Sequence, residues 1–305
     1  MTKWWKPGKP EPELLKSILE RLSYKRAKDV IVGPEYGEDA AAMSLNSKVL
    51  VIGTDPITFT TADPGYYLVN VNANDIATMG AKPEFLLLVM LLPERGTDRD
   101  LVNSLIGEIK KAAKEMDITI VGGHTEVTPG LEKPILIGTM LGFTTKERLV
   151  TSKGAEPGDL LILTKGVAIE GTSIIVRERE DLAREILGEE SVSKVKNWLY
   201  DPGISVVREA LTLAEAGFVK AMHDPTEGGL SMGIYEIAEA SQVGALIEEE
   251  AIPIFEETRL LCSRLGIDPL GLIASGALLA VVSPSVRDEA LSLLIENKIK
   301  ASVIG

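Results

Sequence analysis

With 305 residues, 45% of them apolar, the chain can bury one large core or two of ordinary size, and two domains are the expectation. Its 45 acidic against 32 basic residues leave a formal net charge of -13, which repels a nucleic-acid backbone or an anionic membrane surface. A single cysteine, Cys262, excludes an internal disulfide and any cysteine-rich zinc or iron-sulfur site.

The opening residues, MTKWWKPGKPEPELL, lack the apolar run of a secretory signal, so a cytoplasmic protein is expected. Residues 1–12 read as an arm, expected as a disordered or dimer-packed tail anchored by Trp4 and Trp5, the alternative being a lid that brings Lys9 near a phosphate. An amphipathic helix begins near Pro12 and shows Leu14, Leu15, Ile18, Leu19 and Leu22 on one face. Strands are expected at Val30–Val32 and Lys48–Ile52, with GEDAAA (Gly37 to Ala42) between them. Asp55 follows the apolar VLVIGT and is expected to project from a strand end, where open sheets present ligand groups.

Tyr67 to Met79 has helical spacing, yet it carries Asn70, Asn72 and Asn74, which are poor interior helix residues. Phe85 to Leu92 is far shorter than the ~20 residues that span a bilayer and reads as a buried strand. A helix over Asp98 to Met116 and strands at Ile118–Val121 and Pro134–Phe143 complete a first α+β unit, with GGHTEV (Gly122 to Val127) read as the loop after a strand. The polar stretch Thr144 to Pro157 divides the chain into domains 13–148 and 149–305. Beyond it lie helical stripes at Ile204, Val207, Leu211 and Ala214 and at Leu230, Ile234 and Ile237, and strands at Ala277–Val282 and Ala301–Ile304. Cys262 shares a helical face with leucines and reads as a packed thiol.

Five segments place acidic or amide side chains beside small residues or glycines: GEDAAA, TDP, NANDIATMGAKP, GGHTEV and HDPTEGG. Glycine lets backbone N–H groups approach phosphates, and carboxylates hold hard cations such as Mg²⁺, so together these segments read as a polyanion site built around metal. Read singly, Asp39 also suits a solvated turn, Asp55 a strand end, and Thr226 a helix cap. Asp75 sits on an otherwise apolar helix face and requires a partner. Gly122, Gly123 and Thr125 suit a phosphate nest, and His124 suits phosphate donation or proton transfer. GVAIEGTS (Gly166 to Ser173) mimics a phosphate loop but has no lysine before the hydroxyl, and the signatures GxGxxG, HExxH and DFG are absent.

In their order, the five segments resemble the superfamily of aminoimidazole ribonucleotide synthetase (PurM), the hydrogenase maturation factor HypE, selenophosphate synthetase and thiamine-monophosphate kinase. NDIATMGAKPEFLL resembles its helix-strand signature, VGGHTEVTPG its GGET or GGDT loop, and HDPTEGGL the motif of its C-terminal domain. The resemblance implies an α+β fold of two domains, with an N-terminal mixed sheet forming the interface of a homodimer and a C-terminal α+β domain. It further implies ATP and Mg²⁺ as ligands. By position, Asp39, Asp55 and Asp75 match metal ligands, and Asn72, Gly122, Gly123, Thr125 and Asp224 join them in nucleotide binding.

The resemblance also implies phosphorylation of an amide-like or carbonyl oxygen, on a small substrate or one carried by a protein partner, with His124 or Glu126 as catalytic base. A small-molecule kinase like thiamine-monophosphate kinase and a non-catalytic nucleotide-binding scaffold are the alternatives. Three departures bear on the choice: His124 stands where relatives carry Glu or Asp, Ser275 where they usually place Glu, and Lys300 to Gly305 contains no cysteine of the kind HypE tails carry.

Overall fold

A computed structural model of the chain describes residues 10–22, 27–58, 60 and 62–305. The arm residues Trp4, Trp5 and Lys9 lie outside the described residues. Helix α1 (Pro12–Leu22) leads to strands β1 (Val30–Val32), β2 (Ala41–Leu45) and β3 (Lys48–Ile57), then α2 (Pro64–Thr78), β4 (Lys82–Pro93), α3 (Arg99–Glu115), β5 (Thr119–Thr128) and β6 (Ile135–Thr144). The six strands form one mixed sheet in the order β1-β2-β3-β6-β4-β5, in which β4 and β5 alone run parallel. Helix α3 starts where the sequence predicts because Asp98 caps it, accepting from the Leu101 N–H at 2.9 Å.

Two strands run further than expected. Asp55 lies within β3, paired opposite Gly138 of β6, and not beyond the strand end. GGHTEV is not a loop: it forms most of β5, at the edge of the sheet. Gly123 permits this pairing, because its φ of 150° and its contact with β4 leave no room for a Cβ, which would overlap the Leu88 carbonyl oxygen. With the backbone extended against β4, the paired N–H groups of a phosphate nest do not form there.

Strand alternation gives the sheet two unlike faces. Val49, Val51, Leu86, Met90, Leu136 and Met140 are buried on one, beneath α2 and α3. The other presents Leu50, Ile52, Phe85, Leu87, Val89, Ile137, Leu141 and Phe143, all half-buried or exposed. Every residue of α2 from Pro64 to Thr78 is buried. The helix lies close to the sheet because Gly138 and Gly142 face Asn72 and Ile76, where any Cβ would overlap those side chains.

The second unit contains β7 (Leu160–Thr164), α4 (Ile169–Glu178), α5 (Glu180–Leu187), α6 (Glu189–Lys196), α7 (Val207–Ala216), β8 (Val219–His223), α8 (Gly229–Ser241), α9 (Glu256–Leu265), β9 (Leu279–Val282), α10 (Arg287–Glu296) and β10 (Ala301–Val303). Its sheet is antiparallel, ordered β10-β7-β9-β8. Ile162, Met222, Ala280 and Val282 pack with α7 and α10, while Leu161, Leu163, Ala221, Leu279 and Val281 pack with Leu230 and Ile237 of α8. Cys262 is buried in α9, as its leucine neighbours predict. Among the described residues, no helix is long and apolar enough to cross a membrane.

The two units meet along α2. Asn74 Nδ2 donates to the Ile204 carbonyl at 3.0 Å, and its Oδ1 accepts from the Val206 N–H at 2.8 Å, all buried. Asn70 donates to the Tyr66 carbonyl one turn back. The asparagines that looked out of place in a helix are therefore spent on backbone groups, the commonest fate of a buried amide.

Candidate nucleotide and metal site

A cavity of about 530 Å³ opens where α2, the end of β3, the bend before β2 and the end of β8 converge. Asp39 reaches it from the bend, Asp55 from β3, Asp75 from α2 and Asp224 from just past β8. Seven carboxyl-bearing side chains line it, the others being Glu38, Glu170 and Glu227, and no lysine or arginine does so among the described residues. That volume is in the range of small-ligand sites.

Burial and mutual repulsion set the protonation states. Burial raises the Asp75 carboxyl well above the ordinary carboxylate range, reinforced by the charges of Asp55 and Asp224, and Asp55 and Asp75 share a hydrogen bond. Asp224 is raised for the same reasons, with burial first and then the Asp39 charge. Burial acts to lower His223, but the facing carboxylates of Asp39 and Glu236 outweigh it and hold the ring well above its ordinary value. His223 Nδ1 lies 2.6 Å from Asp39 Oδ1 and Nε2 lies 2.9 Å from Glu236 Oε2. With both nitrogens facing carboxylates, the ring is an imidazolium and has no lone pair for a metal. Asp39, His223 and Asp224 place candidate ligand atoms within 4.8 Å of one another, and of these the two carboxylates keep lone pairs available to a cation.

Local structure fixes each carboxylate. Asp39 Oδ2 accepts from Thr78 Oγ1 at 3.0 Å. Asn72 Oδ1 accepts from the Asp55 N–H at 3.0 Å, while its Nδ2 donates to the Leu68 and Asp55 carbonyls. Asn72 is fully buried and does not line the cavity; its hydrogen bonds clamp the Asp55 backbone. Thr226 lines the cavity; it is not a side-chain cap, since its carbonyl, and not its hydroxyl, receives the Gly229 N–H.

Buried polar atoms without partners point to a missing ligand. Glu38 Oε1, Tyr67 Oη, Glu170 Oε2 and Asp224 Oδ2 are all buried without a hydrogen-bond partner, and all four belong to residues lining this one cavity. A dense carboxylate set with such atoms fits divalent cations and the groups those cations bridge.

Within one chain, the structure does not bring Gly122, Gly123, His124, Thr125 and Glu126 to this cavity. Asp55, Gly138, Leu88 and Gly123 are successive partners across β3, β6, β4 and β5, so Asp55 and Gly123 stand three strand spacings apart, about 14 Å. His124 and Glu126 pair in register with Val89 and Leu91, on the open face of the sheet. The two are exposed and lie 3.2 Å apart, His124 Nε2 to Glu126 Oε2.

Glu170, Tyr67, Glu38 and Glu236 are site residues that the sequence reading does not pick out. Glu170 lies in the GVAIEGTS segment, where a carboxylate among Val167, Ile169 and Ile174 is itself the available signal.

A mixed sheet and an antiparallel sheet joined across one buried helix, with an acidic cavity where they meet, define a two-domain α+β protein of the PurM-like type. Residues 37–144 match the N-terminal domain and residues 156–305 the C-terminal domain of AIR synthase related protein, and the chain belongs to that family. It is HypE-like within the family: carbamoyl dehydratase HypE of Cupriavidus necator is 30% identical over 85% of this chain and 72% of the relative. Among solved structures, a HypE-HypF complex matches with a TM-score of 0.77 at 25% identity, covering 95% of this chain and 92% of that one. A HypE in complex with ATP matches with a TM-score of 0.73 at 29% identity, covering 88% and 78%.

Proposed function

We propose that the chain is an ATP- and Mg²⁺-dependent enzyme that phosphorylates, and so activates, an amide-like or carbonyl oxygen. The observation that carries this reading is the cavity itself, with its acidic lining, its lack of lysine and arginine among the described residues, and four buried polar atoms without partners. ATP as the nucleotide is supported by the solved HypE complex, and an amide-like acceptor by the name of the 30% identical relative. Asp39, Asp55, Asp75 and Asp224 would hold Mg²⁺, which would supply charge compensation for the transferred group.

The remaining work falls to the chain's own residues. The His223 ring orients Asp39 through its Nδ1 contact, and Asn72 fixes the Asp55 backbone, so the carboxylates are in place before ligand arrives. Phosphoryl transfer depends largely on such positioning and charge compensation.

The open sheet face supports a homodimer, because an apolar sheet face of this extent is stable when another layer covers it. In this reading Gly122, Gly123, His124, Thr125 and Glu126 reach the nucleotide from the second copy, and the catalytic roles of His124 and Glu126 depend on it. A protein partner carrying the substrate is supported by the HypE-HypF complex, and a cytoplasmic location is part of the same proposal. A kinase with an anionic acceptor fits the lysine- and arginine-free lining less well.

Calorimetry with ATP and a nonhydrolysable analogue, with and without Mg²⁺, tests the proposal. Asp55→Asn and Asp75→Asn are expected to remove most of the Mg²⁺-dependent affinity. Wild-type turnover in both variants would overturn the mechanism, and tight binding without turnover alongside any candidate partner would leave a scaffold.

A further inference from the structure

The acidic cavity is divided along α2. Tyr67 and Asp75 both lie on that helix and both line the cavity, yet they are eight residues apart, about 12 Å along the axis. The charges acting on Asp75 are those of Asp55, Asp224 and Asp39, whereas Glu227 acts on Glu170 and Glu170 acts on Tyr67. One end of the cavity thus gathers the aspartates, and the other gathers Glu170, Glu227, Tyr67 and Ser275, with Ile174 and Ile273 as apolar walls.

At this second end two oxygens are buried without partners. Glu170, in the first turn of α4, is 6% exposed and its Oε2 is unpaired; Tyr67 is 1% exposed and its Oη, with Ser173 beside it, meets no partner at hydrogen-bonding geometry. A buried carboxylate oxygen in that position is costly, and the Glu227 charge adds repulsion. The chain supplies no free cation to relieve it. Among the described residues no lysine or arginine lines the cavity, and Arg177, about two turns along α4, is engaged by Asp63 at 2.6 Å and by the Lys196 carbonyl. The His223 ring, at the aspartate end, is held between Asp39 and Glu236.

What this end lacks is positive charge that also donates hydrogen bonds. A neutral group would leave the carboxylates uncompensated, and an anion would add a third like charge. A hard metal ion asks for about six or more oxygens, and here four side chains face two isoleucines. An ammonium on an alkyl carbon asks for three acceptors and lays its carbon against the apolar walls. Building on the proposed ATP-dependent reading, we infer that this end of the cavity receives a primary ammonium group borne by the substrate, with Glu170 as its principal acceptor, Tyr67 Oη as a second and Glu227 as counter-charge. The substrate class is then an aliphatic amine that also carries the reacting oxygen. Burial places the Glu170 carboxyl at about 7, with the Ser275 hydrogen bond opposing the rise and the Glu227 charge adding to it. Below that value a proton occupies the carboxyl, and above it the carboxylate is open to the ammonium. Burial pushes the Tyr67 hydroxyl far above its ordinary value, so it stays neutral over the same range.

Titration calorimetry of the full chain with propylammonium, in the presence of Mg²⁺ and a nonhydrolysable ATP analogue, tests this. Binding is expected to strengthen as pH rises through about 7 and to level off above it, with protons released on the acid side. Glu170→Gln should weaken binding at least about tenfold and remove its rise with pH, the loss of a buried charge-assisted hydrogen bond. Tyr67→Phe, which deletes one acceptor, should weaken it about three- to tenfold. Propionamide, which has no charge, tetramethylammonium, which has no N–H, and potassium should not compete. A chain that binds the Mg²⁺-analogue complex but not propylammonium, a Glu170→Gln variant with wild-type affinity, or competition by any of the three controls overturns the ammonium site and leaves the nucleotide reading standing. Absence of Mg²⁺-dependent analogue binding removes that reading and, with it, the amine's part as substrate.

Discussion

Replacing Glu170 with glutamine should make the protein more resistant to unfolding, by an amount that grows with pH. The carboxyl is buried and its value rises from 4.5 to about 7 on folding. Below pH 4.5 the group is protonated whether the chain is folded or not, and it favours neither state. As pH climbs from 4.5 to about 7, the unfolded chain ionises first and gains stability relative to the folded one; above about 7 the cost is complete. The gap is 7 minus 4.5, or about 2.5, and at 1.36 kcal/mol for each the folded protein loses about 3 kcal/mol. Glutamine has the same shape and no such titration. Whatever its amide costs in hydrogen bonding is the same at every pH, so the pH dependence of the difference isolates the carboxylate. Urea unfolding of wild type and Glu170→Gln in chelator, from pH 5 to pH 9, should show the variant gaining about 3 kcal/mol across that interval. A difference that stays flat with pH would refute the buried-carboxylate reasoning.

Three other outcomes follow from the same packing. Asn74→Ala leaves the Ile204 carbonyl and the Val206 N–H buried without partners, so thermal unfolding should show a loss of about 2–4 kcal/mol. Gly142→Ala forces a methyl into Ile76 and the Lys82 carbonyl beneath α2, and denaturant unfolding should report a loss of about 1–3 kcal/mol or more. Leu87→Lys on the open sheet face should convert a dimer to a monomer in size-exclusion chromatography with light scattering, while its melting temperature at matched protomer concentration falls only slightly. A wild-type chain that is monomeric at micromolar concentration would end the shared-site reading.

Local patterns carried the elements well and the site unevenly. Helix α3 was readable almost to the residue because its cap, Asp98, and its apolar spacing are local signals. GGHTEV reads as a loop because two glycines ordinarily announce a turn, whereas here Gly123 clears space for a neighbouring strand that lies over thirty residues earlier in the chain. Asp55 and Asp75 are visible because each breaks an apolar pattern, and Asp39 and Asp224 because each lies in a short segment of acidic and small residues. That they share one cavity depends on how α2 meets the second sheet, which no local window contains. Glu170 is hard to read from its segment, because GVAIEGTS looks like a phosphate loop without its lysine and the burial of the carboxylate is set by residues far away in the chain. His223 opens the HDPTEGG segment, but its place as an ion-paired support emerges only once Glu236 arrives from α8.

Helix α2 limits how this scaffold could change its chemistry. All of its residues are buried, glycines hold it against one sheet, and an asparagine ties it to the other unit. A new side chain on α2 must therefore satisfy two domains at once, and few will. Residues 170, 226, 227 and 275 lie on the cavity rim, where a substitution disturbs fewer neighbours. New acceptor preferences in such a protein are more readily acquired at that rim, with the phosphate-handling end inherited unchanged.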